Sequence, residues 1–463
     1  MSILRLKHLK RMKTTIRSTL LCLSIFVGGL PGALASESTS MSREEKVQLA
    51  RDIGTVLKTE YIFPEQAQKI AASLLANAES GKYDKFIRPE ELSQRLTTDI
   101  RAIHPDVHLS VAYSPAQNGA RMIRKGGGSS ISPERLRAMQ QNNFGFKDVQ
   151  LLAGNIGYIN LTQFVDPTYA GETAVAAMAF LTNSDAIIFD LRENPGGAGE
   201  MYQLLISYLF DEGPVKINEI YWPADDRLYQ TWTLPHVPGK RRPDVDVYVL
   251  TSANTASAAE VFSYSLKHLN RATVVGEATL GAANPVSPTR VSDNFMVWLS
   301  KGQAINPVTK TNWEGKGVIP HIETSKQDAL HVAHINALEK LANENRETAA
   351  FHRWNVDIVK SQMTEVKIAN ELLKTYAGQY VAKNGTQRGL VYRDGTLFYQ
   401  MQGVEDRKLM ALSETTFMLP GENSFKVEII KEGDKTTGLK RMFDDGYTIQ
   451  HIKKVGKRSK ASG

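Results

Sequence analysis

Ser257 stands between two segments that together could give a serine hydroxyl something to do. Residues 245–250 form a short, β-branched apolar run that reads as a buried strand, and residues 261–266 carry the apolar spacing of a helix packed on a sheet. The serine therefore lies where a strand turns into a helix. Backbone amides and the positive end of the helix dipole meet at such a turn and stabilise negative charge developing on a bound oxygen. That is the placement a nucleophilic serine needs. Read alone, the segment serves as well for a plain helix cap by Thr255 or Ser257.

A second segment changes that balance. Residues 186–192 read as another buried strand, followed by Glu193, Asn194, Pro195, Gly196 and Gly197. Two glycines after a proline turn the chain tightly and leave its N–H groups unshielded, so that they can point at an oxyanion. A serine and two sources of amide donors are the minimum equipment for acyl transfer.

With these loops in place the order of motifs becomes informative. Residues 154–159, 190–197, 251–260, 276–281 and 313–320 resemble, in order and spacing, the tail-specific (C-terminal-processing) serine protease family, over roughly residues 45–345. The resemblance implies an α/β fold of the Clp protease/crotonase type. Members of the Ser/Lys design carry a lysine after the Thr-x-Gly turn, where this chain has Ala282, and their PDZ domain has no clear counterpart here. The insert over about 114–148 is short, and its stretch 124–130 reads as a flexible loop.

The chain is more similar to the branch that includes the interphotoreceptor retinoid-binding protein and the tricorn core protease, at 106–108, 281–285, 305–309 and 313–315. Carried over by position, that resemblance makes His108 the general base and Glu314 the orienting carboxylate. Tricorn-like enzymes place a serine before the histidine; here Val107 occupies that position, which leaves Glu314 or Asp106 to orient the ring. The chemistry is coherent: a serine hydroxyl needs a base, imidazole titrates near the working pH, and a carboxylate fixes its tautomer.

The resulting expectation is an exported serine-type peptidase that cleaves peptides or unfolded protein tails through an acyl-enzyme. Ser257 attacks, His108 moves the proton, and the amides of Gly196 or Gly197 and of Ala258 hold the oxyanion. No metal or organic cofactor is implied. The alternative is a non-catalytic binder of apolar ligands or peptides on the same fold, with a non-peptide ester hydrolase as a third reading. A His108 nitrogen within hydrogen-bond reach of Ser257 Oγ would separate the first two.

The remaining sequence bears on compartment and layout. Residues 1–35 hold six Lys/Arg and no acid, then an apolar core and Ala33-Leu34-Ala35, the pattern of a secretory signal peptide. Export places the protein in the periplasm or outside the cell. The lone Cys22 lies in that leader. Without it, 50 Lys/Arg face 49 Asp/Glu, so the formal charge of +7 is mostly the leader's and nothing points to nucleic acid. No other segment is long and apolar enough to span a membrane.

The expected parts are a helical N-terminal domain over 36–113, a linker or insert over 114–149, a catalytic domain over 150–345 and a second linker over 346–365. A small β-rich, lipocalin-like domain over 366–455 follows, and a basic tail over 456–463 ends the chain. Oligomeric state is not encoded in any feature of the sequence.

Overall fold

The computed structural model describes residues 40–115, 131–344, 347–363 and 366–454. The expected leader with Cys22, the loop 124–130 and the tail 456–463 fall outside the described residues.

The N-terminal part begins with three helices, α1 (Arg43–Glu60), α2 (Pro64–Glu79) and α3 (Pro89–Ile103). Each starts for a local reason. Ser42 and Glu45 close a reciprocal capping box on α1, and Pro64 and Pro89 occupy the first turn, where no N–H is needed. Leu49, Ile53, Leu57, Ile70, Leu74, Leu96 and Ile100 bury their faces against one another. The chain then enters strand β1 (Ser110–Tyr113).

Helix α4 (Pro133–Gln141) and strand β2 (Phe146–Leu152) follow, so the stretch expected as a linker or insert carries regular structure. The catalytic segment then runs β3 (Ile156–Leu161), α5 (Pro167–Phe180), β4 (Ala186–Asp190), α6 (Gly199–Ser207), β5 (Lys216–Trp222), β6 (Arg227–Trp232) and β7 (Asp246–Thr251). It continues through α7 (Ala258–His268), β8 (Thr273–Gly276), β9 (Val286–Ser292), β10 (Phe295–Ser300), β11 (Gln303–Ile305), β12 (Ile322–Glu323) and α8 (Ala329–Asn343).

One sheet has the order β12-β8-β7-β4-β3-β2, parallel throughout except for the β2–β3 pair. All five residues of β4 are buried, as a central parallel strand covered on both faces requires. Ala174, Met201, Phe189 and Phe262 fill one face; Ile188, Tyr248, Leu250, Ala333 and Leu338 fill the other. This is the Clp/crotonase-like α/β core. Strands β11, β5 and β6 form a separate antiparallel sheet.

Two boundaries need correction. Strand β10 pairs with β1, Val297 opposite Val111, and Phe295, Val297 and Leu299 join the core of α1–α3. The hairpin β9–β10 thus returns from the catalytic segment to complete the N-terminal core. The stretch 346–365 is also no simple linker: it holds helix α9 (Ala349–Met363), whose Val356 and Val359 pack in one cluster with Leu338 and Leu341 of α8. Its polar composition hid a narrow apolar stripe that only α8 makes useful.

Helix α10 (Asn370–Tyr376) leads into the last nine strands: β13 (Gly378–Ala382), β14 (Gln387–Arg393), β15 (Thr396–Gln400), β16 (Arg407–Lys408), β17 (Met410–Ala411), β18 (Thr416–Leu419), β19 (Glu422–Glu432), β20 (Lys435–Phe443) and β21 (Thr448–Lys453). Their order in the antiparallel sheet is β16-β15-β14-β13-β21-β20-β19-β18-β17. The two edge strands are separated in sequence by Leu409 alone, so the sheet must curl until its edges meet, and the module is barrel-like. Tyr376, Tyr380, Tyr399, Phe417 and Val427 fill it. Lys426 fastens it to α9 by donating to Trp354 O and Asp357 Oδ2.

Candidate active site

Strand β7 ends at Thr251, and the chain crosses to α7 through a loop held entirely by local donors. Ser252 N–H donates to Thr255 Oγ1, Thr255 Oγ1 donates to Leu191 O, and Ser252 Oγ donates to Arg192 O. The β7 loop is thereby tied to the loop after β4. Asn194, fully buried, completes the seam: its carbonyl accepts from Ala256 N–H and its side chain donates to Leu161 O.

Ser257 then adopts φ 52°, ψ −121° immediately before α7. Such a backbone costs a non-glycine residue about 1–3 kcal/mol and persists only where its surroundings impose it. Gly196 is one of those surroundings. A Cβ on Gly196 would lie 2.8 Å from Ser257 Cβ and 2.9 Å from Ala258 N, so the close approach of the two loops requires glycine. Gly196 N–H donates to Asn194 Oδ1 at 2.8 Å. The amides of Gly197 and Ala258 donate to no protein acceptor among the described residues. Of the two glycine amides expected at an oxyanion, Gly197 is the one left free.

A carboxylate that had no assigned role braces the serine. Glu260 is fully buried; its Oε2 accepts from Ser257 N–H and Ala282 N–H, each at 2.8 Å, and its Oε1 accepts from Gly281 N–H and Thr279 Oγ1. Burial pushes its carboxyl upward, and these four donors pull it back toward the ionised form. The signal was legible: Ser-x-x-Glu at a helix start is the capping-box pattern.

The same loop holds Glu314. Ala283 N–H and Asn284 N–H donate to its Oε2 at 2.8 and 2.9 Å, while its Oε1 is buried with no partner among the described residues. Buried Trp313, its ring 4.7 Å from that of Tyr264, and a bond from Gly315 N–H to Gly281 O anchor the turn. Burial first, then the negative Asp106, push the Glu314 carboxyl up to about 7.

His108 arrives from the N-terminal part, beside β1. Its Nδ1 is likewise buried and unpartnered, 3.9 Å from Asp106 Oδ1, and burial lowers its pKa against the pull of Asp106. Asp106 is itself fixed: its Oδ2 accepts from Tyr61 Oη at 2.7 Å and Ser300 Oγ at 3.2 Å, and its Oδ1 from His108 N–H. No sequence pattern ties Tyr61 and Ser300 to Asp106, from which they lie 45 and 194 residues away.

Asp106, His108 and Glu314 each offer one atom within 4.8 Å of the others, a donor set able to hold a cation as well as to form a histidine–carboxylate couple. The fold thus brings His108 to Glu314, and the 281–284 amides link Glu314 to Glu260 and Ser257. No hydrogen bond joins the His108 ring to Ser257 Oγ among the described residues.

Comparison with known proteins follows this layout. Residues 155–324 match the model of peptidase family S41, and residues 38–142 match the N-terminal domain of peptidase S41 in eukaryotic IRBP. A protein of Staphylococcus epidermidis named "Probable CtpA-like serine protease" is 24% identical over 235 residues, covering 49% of this chain and 47% of its own length. Its namesake in Staphylococcus saprophyticus is 26% identical over 204 residues, covering 42% and 39%. The chain thus spans less than half the length of these relatives. The solved structure of mature CPAF superposes with a TM-score of 0.46 at 12% identity, covering 66% of this chain and 99% of that one. The two models lie side by side along one chain, so residues 38–142 and 155–324 carry the paired domains of peptidase family S41.

Proposed function

We propose that the protein is an exported serine-type peptidase that cleaves peptides or unfolded protein tails through an acyl-enzyme. The observation that carries this reading is the strained Ser257 backbone at the head of α7, braced by Glu260 and flanked by the free amides of Gly197 and Ala258. In that arrangement Ser257 Oγ attacks the scissile carbonyl, and the two amides receive the oxyanion. His108, whose neutral form burial favours, accepts the hydroxyl proton and returns it to the leaving amine. A small rotation that sets His108 Nδ1–H on Glu314 Oε1 satisfies both orphaned atoms and fixes the reactive tautomer. Water then repeats the sequence to release the acyl group.

A second reading, a binder of apolar ligands or peptides with a broken relay, is favoured by two facts: Val107 occupies the serine position of tricorn-like enzymes, and His108 and Ser257 are not hydrogen-bonded. Labelling with a fluorophosphonate probe separates the two. Wild type labels and Ser257→Ala and His108→Ala do not if the serine is activated; a folded wild type that never labels leaves the binder. Export rests on the composition of residues 1–35 and is checked by fractionation: retention of the full-length chain in the cytoplasm would exclude it.

A further inference from the structure

The barrel-like module closes without a ladder. Strands β16 and β17 form its two edges, and only Leu409 connects them. At this seam a cavity of about 650 Å³ opens between the sheet, α10 and the end of α9, within the size range of small-molecule sites. Leu373, Leu397, Leu409 and Phe417 give it apolar walls, and Gly395 and Ala411 leave it room. Every lining residue lies in 361–420, so the cavity is separate from Ser257.

Its polar lining carries charge of one sign. Lys367 and Lys408 line the cavity, and no Asp or Glu does. Elsewhere in the module some lysines are matched, as Lys374 is to Glu371 and Lys426 to Asp357. Among the described residues neither Lys367 nor Lys408 has an ion-pair partner. A cavity with one apolar wall and two exposed lysines at its polar side fits an apolar chain ending in a negative head.

We propose that this cavity binds a fatty carboxylate, its alkyl chain against Leu397, Leu409 and Phe417 and its carboxylate between Lys367 and Lys408. Binding does not require an activated Ser257. Peptidic tails are the competing occupant, and they are excluded or admitted by the same experiment.

The test is titration calorimetry of the whole protein with octanoate, decanoate and dodecanoate, beside decanol, decylamine and an apolar hexapeptide with a free C-terminus. Saturable binding is expected, tightening by up to about fourfold per added methylene as the chain enters the cavity. Decanol and decylamine should bind more weakly than decanoate. Lys367→Glu and Lys408→Glu, both exposed and therefore safe for folding, should each weaken decanoate about fivefold or more, and Ser257→Ala should leave it unchanged. No saturable binding, no dependence on chain length, indifference to both lysine reversals, or tighter binding of the hexapeptide than of any fatty carboxylate would overturn the proposal.

Discussion

Ser257 and Ala282 donate their main-chain amides to the same oxygen, Glu260 Oε2, each at 2.8 Å. Ala282, where the resemblance puts the lysine of Ser/Lys members, has a buried side chain, and its backbone holds the carboxylate that braces Ser257. The next amide, Ala283 N–H, donates to Glu314. One loop thereby links the brace of Ser257 to Glu314, the carboxylate that lies beside His108.

The strain at Ser257 sets stability against activity. Ser257→Gly relieves the φ of 52° and should raise stability by about 1 kcal/mol while abolishing probe labelling and peptidase activity. Ser257→Ala keeps the strain and should lose activity by about a million-fold. Denaturant melts beside labelling check both; equal stability of the Gly and Ala variants would show that the backbone stores nothing useful.

Gly196→Ala forces a Cβ against Ser257 Cβ, Ala256 O and Ala258 N, at a φ of 106°. The two loops must separate, which moves the amide donors away from the reacting carbonyl. Loss of activity by about a hundredfold or more is expected, with KM changing less than kcat. A variant with normal kcat would remove Gly196 from the machinery.

Glu314 makes the chemistry and the fold disagree about pH. Its folded pKa of about 7 lies above the ordinary carboxylate value. Between roughly pH 4.5 and 7 the folded state therefore holds the proton more tightly than the unfolded one, and stability falls as pH rises, by up to ~3 kcal/mol in total. Activity by the proposed mechanism uses ionised Glu314, so it should rise over the same interval with its acid limb near 7. Glu314→Gln should be more stable than wild type at pH 8, equal to it at pH 4, and nearly inactive. A wild-type acid limb unmoved by this substitution would assign it to another group.

Tyr61 acts through Asp106. Tyr61→Phe removes the 2.7 Å donor and leaves only Ser300 Oγ on Asp106 Oδ2. A charge-assisted bond of this kind is worth about 1.5–3 kcal/mol, so stability should fall by that order. If Asp106 positions His108, the acid limb of the pH–rate profile should also shift. A stability loss with an unchanged profile would make Tyr61 purely structural.

Much of the core was legible because its signals are local. The runs over 186–190 and 246–250 are apolar and β-branched enough to be buried parallel strands wherever they are placed, and the loops after them announce themselves by glycine, proline and small polar residues. Strands of the C-terminal module showed for the same reason, through turns such as Asp394-Gly395 and Asp445-Gly446. Helix α9 did not show as a helix, since its buried stripe has meaning only against α8. The hairpin β9–β10 likewise gave no hint that its partner is β1, whose Tyr113 stands opposite Phe295, 182 residues on.

The sequence by itself determined the Ser257 loop, the glycine turn beside it and the family likeness to which both point, because each rests on residues adjacent in the chain. Tertiary structure alone decided that Gly197 rather than Gly196 has a free amide, that Glu260 braces Ser257, and that Tyr61 and Ser300 hold Asp106. Those are hydrogen bonds between groups brought together by packing, and a donor's partner cannot be read from a chain until the fold has chosen which groups are left without water.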